Sequence, residues 1–216
     1  MSDGNSFIRE DPWRIFRIMS EFVDSFQTMS QVGPAVTIFG SARMKPSDKY
    51  YRAAVAIAKG LAQHNLAIVT GGGPGIMEAA NRGAFEMGAP TPGLNITLPH
   101  EQRANPYVTP SLSFKFHYFA IRKMHFMMRA KALVAFPGGF GTLDELFEVI
   151  TLVQTQKAKP VPIILFGKDY WKRLINLDVL VEDGTISAKD LDLIQYTDDP
   201  EEAWQMIRKF YDLPEA

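Results

Sequence analysis

The residues best suited to chemistry are concentrated in one short segment, residues 136–145, with the sequence FPGGFGTLDE. The apolar run before it predicts a buried strand, and apolar residues at three- and four-residue steps after it predict an amphipathic helix. At such a strand-to-helix turn, unpaired backbone N–H groups and the positive end of the helix dipole suit a phosphate. Asp144 and Glu145 are expected in the first turn of that helix, so chemistry on a phosphorylated sugar is favoured. The alternative is a turn whose glycines only let the helix pack closely on the sheet.

Two more glycine-bearing segments follow predicted strands. Gly40 and Ser41 come after a strand at residues 35–39, and residues 71–75 (GGGPG) come after a strand at residues 66–70. In an open parallel sheet, ligands bind beyond the carboxyl ends of the strands, where the strand order reverses. The convergence of three glycine segments at that edge predicts one phosphate-bearing ligand.

Charged side chains accompany these turns. Glu78 follows the second glycine segment and Glu145 the third, while Arg122 and Lys123 belong to a predicted helix that leads into the strand at 132–136. A guanidinium can clamp a phosphate or sugar oxygens in two places, and a fixed carboxylate can stabilise an oxocarbenium-like transition state and activate water. These groups suit cleavage of an N-glycosidic bond. Each acid alone is explained by compensation of a helix dipole, but two acids in one crevice favour a function.

Other chemistries are disfavoured because their patterns are missing. The second glycine segment has Ile76 where a dinucleotide fingerprint needs a third glycine, and no acid occurs at residues 91–97. The chain has no Walker A sequence, no G-x-S-x-G elbow and no pair of histidines at metal-ligand spacing. It also contains no cysteine, which excludes disulfides, thiolate catalysis and cysteine-type zinc sites. We expect no metal site.

Composition indicates a globular protein. Of the 216 residues, 46% are hydrophobic and 22% charged, and the formal net charge is −1. Near-neutral charge argues against a nucleic-acid partner, and the apolar stretches are far shorter than the ~20 residues that span a bilayer, which argues against a membrane. The first residues lack the order of a signal peptide, so a cytoplasmic location is expected.

The alternation of predicted strands and helices indicates an α/β fold. We expect strands at residues 35–39, 66–70, 93–98, 132–136 and 161–166. We expect helices at residues 48–64, 76–87, 117–130, 170–181 and 187–194 and after residue 199, with a loop at 99–112. This order predicts a single Rossmann-like, nucleotide-binding domain at residues 35–216, with a parallel sheet and helices on both faces.

Residues 1–34 are expected to form a separate N-terminal lead and helix. Residues 1–10 are predicted to be disordered, and Asp11 with Pro12 favours a helix start. An apolar stripe across residues 12–30 predicts an amphipathic helix. The stripe can pack on the main domain or dock a partner subunit, and both alternatives stay open.

These motifs resemble the LONELY GUY (LOG) family, long mislabelled as lysine decarboxylases. Residues 137–145 match the family pattern P-G-G-x-G-T-x-x-E throughout, and residues 122–124 (RKM) correspond to its Arg-Lys element. The resemblance extends from about Val36 to the C-terminus. Residues 39–43 (FGSAR) and 71–81 (GGGPGIMEAAN) are similar to the longer bacterial branch of the family.

The resemblance implies hydrolysis of nucleoside 5′-monophosphates, such as AMP or a cytokinin riboside monophosphate, to free base and ribose 5-phosphate, without a cofactor. It implies Glu145 and Arg122 as the catalytic pair, and Glu78 matches a glutamate used by larger bacterial nucleotide nucleosidases. It also implies a homo-oligomer, a dimer or larger, with the site at or near the subunit interface. The candidate substrate-binding residues are Gly40, Ser41, Gly72, Gly73, Gly75, Lys123, Gly138, Gly139, Gly141 and Thr142.

Other functions are weighed against this hypothesis. The same crevice suits a non-catalytic nucleotide carrier or sensor, and the N-terminal helix suits an interaction module. A lysine decarboxylase needs a Schiff-base lysine in a pyridoxal phosphate pocket. The lysines expected near the crevice, Lys123 and Lys131, have no such context, so this activity is rejected.

Base selectivity depends on a pocket that the sequence only suggests. An N6-prenyl group on adenine needs apolar neighbours. The candidates, which are as easily core residues, are Phe114, Phe116, Phe119 and Met124.

Overall fold

The computed structural model describes residues 6–97 and 104–213, without the side chains of residues 6–12. The strands within these residues are β1 (Ala35–Phe39), β2 (Ala67–Val69), β3 (Gly93–Ile96), β4 (Ser113–Phe116), β5 (Ala130–Ala135), β6 (Ile163–Phe166) and β7 (Ile194–Thr197). The helices are α1 (Ser6–Met29), α2 (Lys49–Gln63), α3 (Ile76–Glu86), α4 (Phe119–Met128), α5 (Phe140–Gln154), α6 (Lys168–Leu174), α7 (Asp178–Glu182) and α8 (Pro200–Phe210).

The main sheet is parallel and has the strand order β2-β1-β5-β6-β7. β3 and β4 pair with each other, and a bridge between Thr70 and Gly93 joins β3 to the edge of the main sheet beside β2. The strand order reverses between β1 and β5, because the chain builds outward from β1 to β2 and then returns to add β5 on its other side. A doubly wound sheet binds ligands at such a reversal.

Helices cover both faces of the sheet, as predicted. One apolar core lies under α2, α3 and α8, and the other lies under α1, α4, α5 and α6. Successive residues of the central strands contribute to opposite cores, as Val134 and Leu133 of β5 do. Burial on both faces explains why these strands are continuous apolar runs in the sequence.

Helix α1 packs its inner face against α4. The buried His125 of α4 lies with its Nε2 2.7 Å from Ser25 Oγ, and burial lowers the pKa of His125 to about 4, so the contact is neutral at physiological pH. Glu21 accepts a hydrogen bond from the backbone N–H of His117, with N···O 2.8 Å. One face of the predicted stripe therefore packs on the chain's own main domain.

The start of α1 corrects the sequence analysis. The helix begins at Ser6, so the predicted disordered lead is wrong for residues 6–10, and residues 1–5 lie outside the description. Pro12 lies inside the helix and not at its first position. Proline favours the first turn but is tolerated further along a helix at the cost of one backbone hydrogen bond, which the prediction did not allow for.

Two further elements differ from the predictions. The helix expected at 170–181 is divided into α6 and α7, and residues 188–193 form a 3₁₀ turn that leads into β7. Strands β4 and β7 were not predicted, because both are only four residues long and mix polar with apolar residues. The other strands begin and end within two residues of prediction, although Leu98 of the third lies outside the description.

None of the described helices combines the length and apolarity needed to cross a membrane.

Candidate active site

A cavity of about 590 Å³ lies at the carboxyl ends of β1 and β5, where the strand order reverses. Its lining includes Gly40 and Ser41 from the first glycine segment, Gly71 from the second, and residues 139–142 from the third. Arg122 and Glu145 also line it. The structure thus brings all three glycine segments to one cavity, which two arginines, Arg43 and Arg122, and two acids, Asp144 and Glu145, also line.

The third glycine segment is held by close packing. A Cβ built on Gly138 would lie 2.1 Å from Thr142 Oγ1, so this position requires glycine for the threonine to fold back over it. The Tyr170 hydroxyl donates a hydrogen bond to the Gly138 carbonyl from α6. The Ser41 N–H donates to the Pro137 carbonyl with N···O 3.0 Å, which ties the first turn to the third. These contacts fix the backbone that leads into α5.

Helix α5 begins beside the cavity. Gly139 is its N-cap residue, and its carbonyl accepts from the Thr142 N–H at 3.0 Å. The N–H groups of Phe140 and Gly141 have no acceptor within the helix. No atom within 4 Å would meet a Cβ on Gly139 or on Gly141, so the backbone is open there. Asp144 and Glu145 lie in the second turn and not in the first as predicted, because the helix begins at Phe140. Since the dipole effect falls off after the first turn, dipole compensation does not account for Glu145.

Arg122 extends from α4 to the cavity, and contacts with neighbouring residues hold its side chain in place. Its Nε donates to the Leu94 carbonyl of β3 with N···O 2.7 Å, and its guanidinium lies 5.0 Å from the centre of the Phe126 ring. A Cβ on Gly71 would lie 2.6 Å from Arg122 Nη2, so glycine there leaves space for the guanidinium. Burial lowers the pKa of Arg122 below its ordinary value, and the nearby Glu145 acts in the opposite direction.

Glu145 is a buried acid with an unusual titration. Its side chain is 8% exposed, and its Oε1 lies 4.0 Å from Arg122 Nη1, which is longer than a hydrogen bond. Burial raises the pKa of Glu145 to about 7, while the positive charge of Arg122 acts against the rise. A carboxylate that titrates near neutral pH can take up and release a proton during a reaction.

Lys123 does not join the cavity lining. Its Nζ lies 2.8 Å from Asp144 Oδ1 and 3.2 Å from Glu148 Oε2, so it bridges α4 to α5 beside the site. Burial works against its charge, but the hydrogen bonds with the two acids outweigh it and raise the pKa of Lys123. Lys131 lies at the start of β5, at the opposite edge of the sheet from the cavity. Neither lysine is placed as a Schiff-base residue.

The rest of the second glycine segment lies behind the cavity. Gly72 and Gly73 are buried, and their carbonyls accept hydrogen bonds from Asn105. Gly75 packs against the Ser41 carbonyl, so these glycines shape the loop without lining the cavity. Glu78 lies in the first turn of α3, as predicted, and accepts a hydrogen bond from the Tyr51 hydroxyl at 3.0 Å.

Of the four apolar candidates for a base pocket, Phe119 alone lines the cavity. Phe116 is buried in the core, Phe114 packs against that core, and Met124 lines a different cavity. The apolar lining also contains Phe39, Met77 and Phe140, which the sequence analysis did not consider. Phe140 lies inside the glycine motif and Met77 adjoins Glu78. Their positions in these motifs are the sequence signal that could have identified them as lining residues.

The part of the chain that the structure describes contains no group of three or more histidine, cysteine, aspartate or glutamate side chains able to hold a metal ion.

Comparisons with known proteins agree on one family. The family model described as "Possible lysine decarboxylase" matches residues 77–207. The cytokinin riboside 5′-monophosphate phosphoribohydrolase LOG4 of Arabidopsis thaliana is 31% identical, over 76% of this chain and 77% of the relative. The enzyme LOG of Oryza sativa subsp. japonica, with the same activity in its name, is 32% identical over 68% of this chain and 61% of the relative.

Solved structures show the same fold at lower identity. The molybdenum cofactor binding protein of Rippkaea orientalis has a TM-score of 0.60 and 18% identity, over 84% of this chain and 99% of that protein. The molybdenum cofactor carrier protein of Chlamydomonas reinhardtii has a TM-score of 0.59 and 21% identity, over 83% and 99%. At these identities the likeness concerns the fold alone.

Two glycines of the motif should respond differently to alanine. Gly138→Ala should destabilise the protein by about 1–3 kcal/mol, because the new Cβ overlaps the Thr142 side chain. Gly141→Ala, within α5, should keep or raise stability by about 0.5–1 kcal/mol, because alanine is the better helix residue and meets no atom. Thermal unfolding followed by circular dichroism measures both. Equal destabilisation by the two variants would contradict the packing.

The titration of Glu145 should appear in the pH dependence of stability. Its pKa is about 7 in the folded protein and 4.5 ordinarily, so the folded protein holds the proton more tightly than the unfolded chain. The resulting stabilisation is complete below pH 4.5 and is lost as the pH rises through 7. Relative to Glu145→Gln, the wild type should lose about 3 kcal/mol of unfolding free energy between pH 4.5 and 8. Urea unfolding of both proteins across this range measures it, and parallel curves would refute the shift.

Proposed function

The chain belongs to the LONELY GUY family of cytokinin riboside 5′-monophosphate phosphoribohydrolases, and we propose that it hydrolyses the N-glycosidic bond of nucleoside 5′-monophosphates. The substrate is AMP or a cytokinin riboside monophosphate, and the products are the free base and ribose 5-phosphate. The observation that carries this proposal is Glu145, a buried carboxyl with a pKa of about 7 that faces Arg122 beside the start of α5.

The 5′-phosphate binds at the N-terminus of α5. The N–H groups of Phe140 and Gly141 supply donors, and the bare backbone at Gly139 and Gly141 lets phosphate oxygens approach. Thr142, folded over Gly138, lines the same wall. With the phosphate there, the ribose extends toward Arg122 and Glu145, which line the cavity with these residues.

Hydrolysis follows from the two charged groups. The bond between C1′ and the base nitrogen breaks, its electron pair goes to the base, and the oxygen of water bonds to C1′. The Glu145 carboxylate takes a proton from that water and stabilises the positive charge that develops on the sugar. The departing base takes a proton from solvent, and Glu145 gives the proton it took up back to solvent, so the protons balance and the carboxylate is restored. Arg122, held by the Leu94 carbonyl and the Phe126 ring, positions the sugar and keeps part of the Glu145 population ionised.

Lys123 and Glu78, two other candidate site residues, do not line the cavity. Lys123 acts by holding α5 beside α4 through Asp144 and Glu148. A direct role for Glu78 at the sugar stays a prediction, since its carboxylate is bonded to Tyr51 and the cavity lining contains its neighbour Met77.

We also propose that the protein acts in the cytoplasm as a homo-oligomer. A chain without cysteine does not depend on an oxidising compartment. Phe140, at the cavity, is 91% exposed, and an apolar hollow with Leu143 and Phe147 continues from it along α5. Exposed apolar surface of this kind supports a subunit contact near the site.

Purified protein incubated with AMP should release adenine, measured by chromatography. Glu145→Gln should lower kcat/KM by at least about 100-fold while the protein stays folded, because the variant carboxamide cannot accept the proton. Glu182→Gln makes the same change on the exposed helix α7 and serves as the control. Glu78→Gln, assayed in parallel, tests the role of that acid at the sugar.

The same assay separates hydrolysis from the rival function. Tight binding of nucleoside monophosphates without release of base from any of them would identify a carrier or sensor.

The activity should rise with pH through about 7. Glu145 acts as the ionised base, and burial sets its pKa near that value, so log(kcat/KM) should climb below pH 7 and level off above it. Rates measured from pH 5 to 9 give the profile, and the residual activity of Glu145→Gln should lack that limb. An activity that falls through pH 7 would assign Glu145 as an acid and contradict the proposed step.

A further inference from the structure

Helix α1 has a second apolar face that its own domain leaves uncovered. Phe16, Met19 and Val23 lie on it and are 61%, 55% and 63% exposed, while the opposite face packs on α4. Phe26, 38% exposed, lies at the edge of this face, with one side of its ring against His125 of α4. The spacing of these four apolar residues, three, four and three, is that of the seam between two paired helices. Trp13, 67% exposed, extends the stripe toward the N-terminus.

The stripe is large for an exposed surface. Aromatic side chains cover about 150–250 Å² each when buried, so at these exposed fractions the side chains together present several hundred Å², the upper range for the largest apolar patch of a monomer. At Phe26 the stripe reaches a cavity of about 730 Å³ between the ends of α1, α4 and α5. Met124, Met127 and Met128 line that cavity, so apolar surface continues past the end of the helix. Four basic residues share the lining: Arg129, Lys131, Lys157 and Lys159.

The charges of α1 indicate how a partner helix lies. Residues 6–17 contain three arginines and two acids, whereas residues 18–29 contain only the acids Glu21 and Asp24. Arg17 and Asp24, one in each half, are both exposed. An antiparallel second copy places each basic half against an acidic half, and a parallel copy places like charges together. Mixed charges also suit a lipid surface poorly, since helices that lie on anionic membranes carry a basic polar face.

We propose that α1 pairs in antiparallel fashion with α1 of a second copy of this chain, about a two-fold axis near Glu21. In this register Phe16 meets Phe26 of the partner subunit, and Met19 meets Val23 of the partner subunit. The same register carries Trp13 of the partner subunit to the end of α1, beside the methionine-lined cavity. The inference rests on the proposed homo-oligomer and assigns one contact face to it; it does not depend on the reaction.

Cysteine crosslinking tests the pairing on a chain that has no cysteine of its own. Phe16→Cys and Phe26→Cys proteins, mixed and mildly oxidised, should form a disulfide-linked heterodimer. Each variant carries a single cysteine, so no disulfide can form within one chain. Positions 16 and 26 are also about 15 Å apart along one helix, which is too far for a disulfide. Phe16→Cys alone should not crosslink, and Met87→Cys, on an exposed apolar residue after α3, is the control. Crosslinking of Phe16→Cys with itself would mean a parallel pair and overturn the proposal.

Assembly mass gives the second test, by analytical ultracentrifugation. Met19→Glu should halve the mass of the assembly, and the matched change Met87→Glu should not. Arg17→Glu and Asp24→Arg should each weaken association about 10-fold or more, and the double variant should restore it.

The outcomes separate the two proposals. A wild type that is monomeric at every concentration overturns both the homo-oligomer and the pairing. An oligomer that survives Met19→Glu without crosslinks overturns the α1 pairing alone. Binding of the wild type to anionic vesicles that Met19→Glu abolishes, without crosslinks, assigns the face to lipid and also overturns it.

Discussion

The pairing of β1 with β5 is the constraint on which the site depends. The pairing continues beyond the strands, because the Phe136 N–H donates to Phe39 and the Ser41 N–H donates to Pro137. The two turns after these strands are therefore held against each other. Backbone segments this close leave little room for side chains. A Cβ on Gly75 would lie 2.3 Å from the Ser41 carbonyl oxygen of the first turn, while one on Gly138 would overlap Thr142 of its own motif. The glycine-rich composition follows from the close approach as well as from any ligand.

The second requirement is electrostatic. The same closure that brings α4 and α5 to the cavity removes Glu145 from water, and burial of an acid favours its neutral form. Arg122 opposes this effect, but at 4.0 Å it does not form the hydrogen bonds that would hold the carboxylate ionised. Lys123 is kept away by its contacts with Asp144 and Glu148. Near neutral pH, Glu145 is therefore a mixture of its protonated and ionised forms. Its burial lowers the stability of the folded protein, which an ordinary surface acid does not do.

Prediction from sequence succeeded where one local signal decided the structure. Continuous apolar runs specified the central strands, and Asp199 before Pro200 specified the start of α8, where the Asp199 carboxylate accepts from the Glu201 N–H at 2.9 Å. The convergence of the glycine segments followed from the rule on parallel sheets. Strand β4 was missed, because an edge strand of four residues is defined by its neighbour β3 and not by its own pattern. The contacts of Lys123 and Glu78 could not be predicted for a similar reason: their partners, Glu148 and Tyr51, come from other helices.

Helix α4 contacts both the candidate site and helix α1. Its residue Arg122 lines the candidate site, and His125, three residues further along the helix, contacts Ser25 of α1. Because His125 is neutral and buried, this contact is made by packing and one hydrogen bond, and it is insensitive to salt. A second copy that covers the outer face of α1 therefore presses the helix onto α4 without touching the cavity. In the proposed assembly, the subunit contact stabilises the element that positions Arg122, and this gives a physical reason for the chain to carry α1.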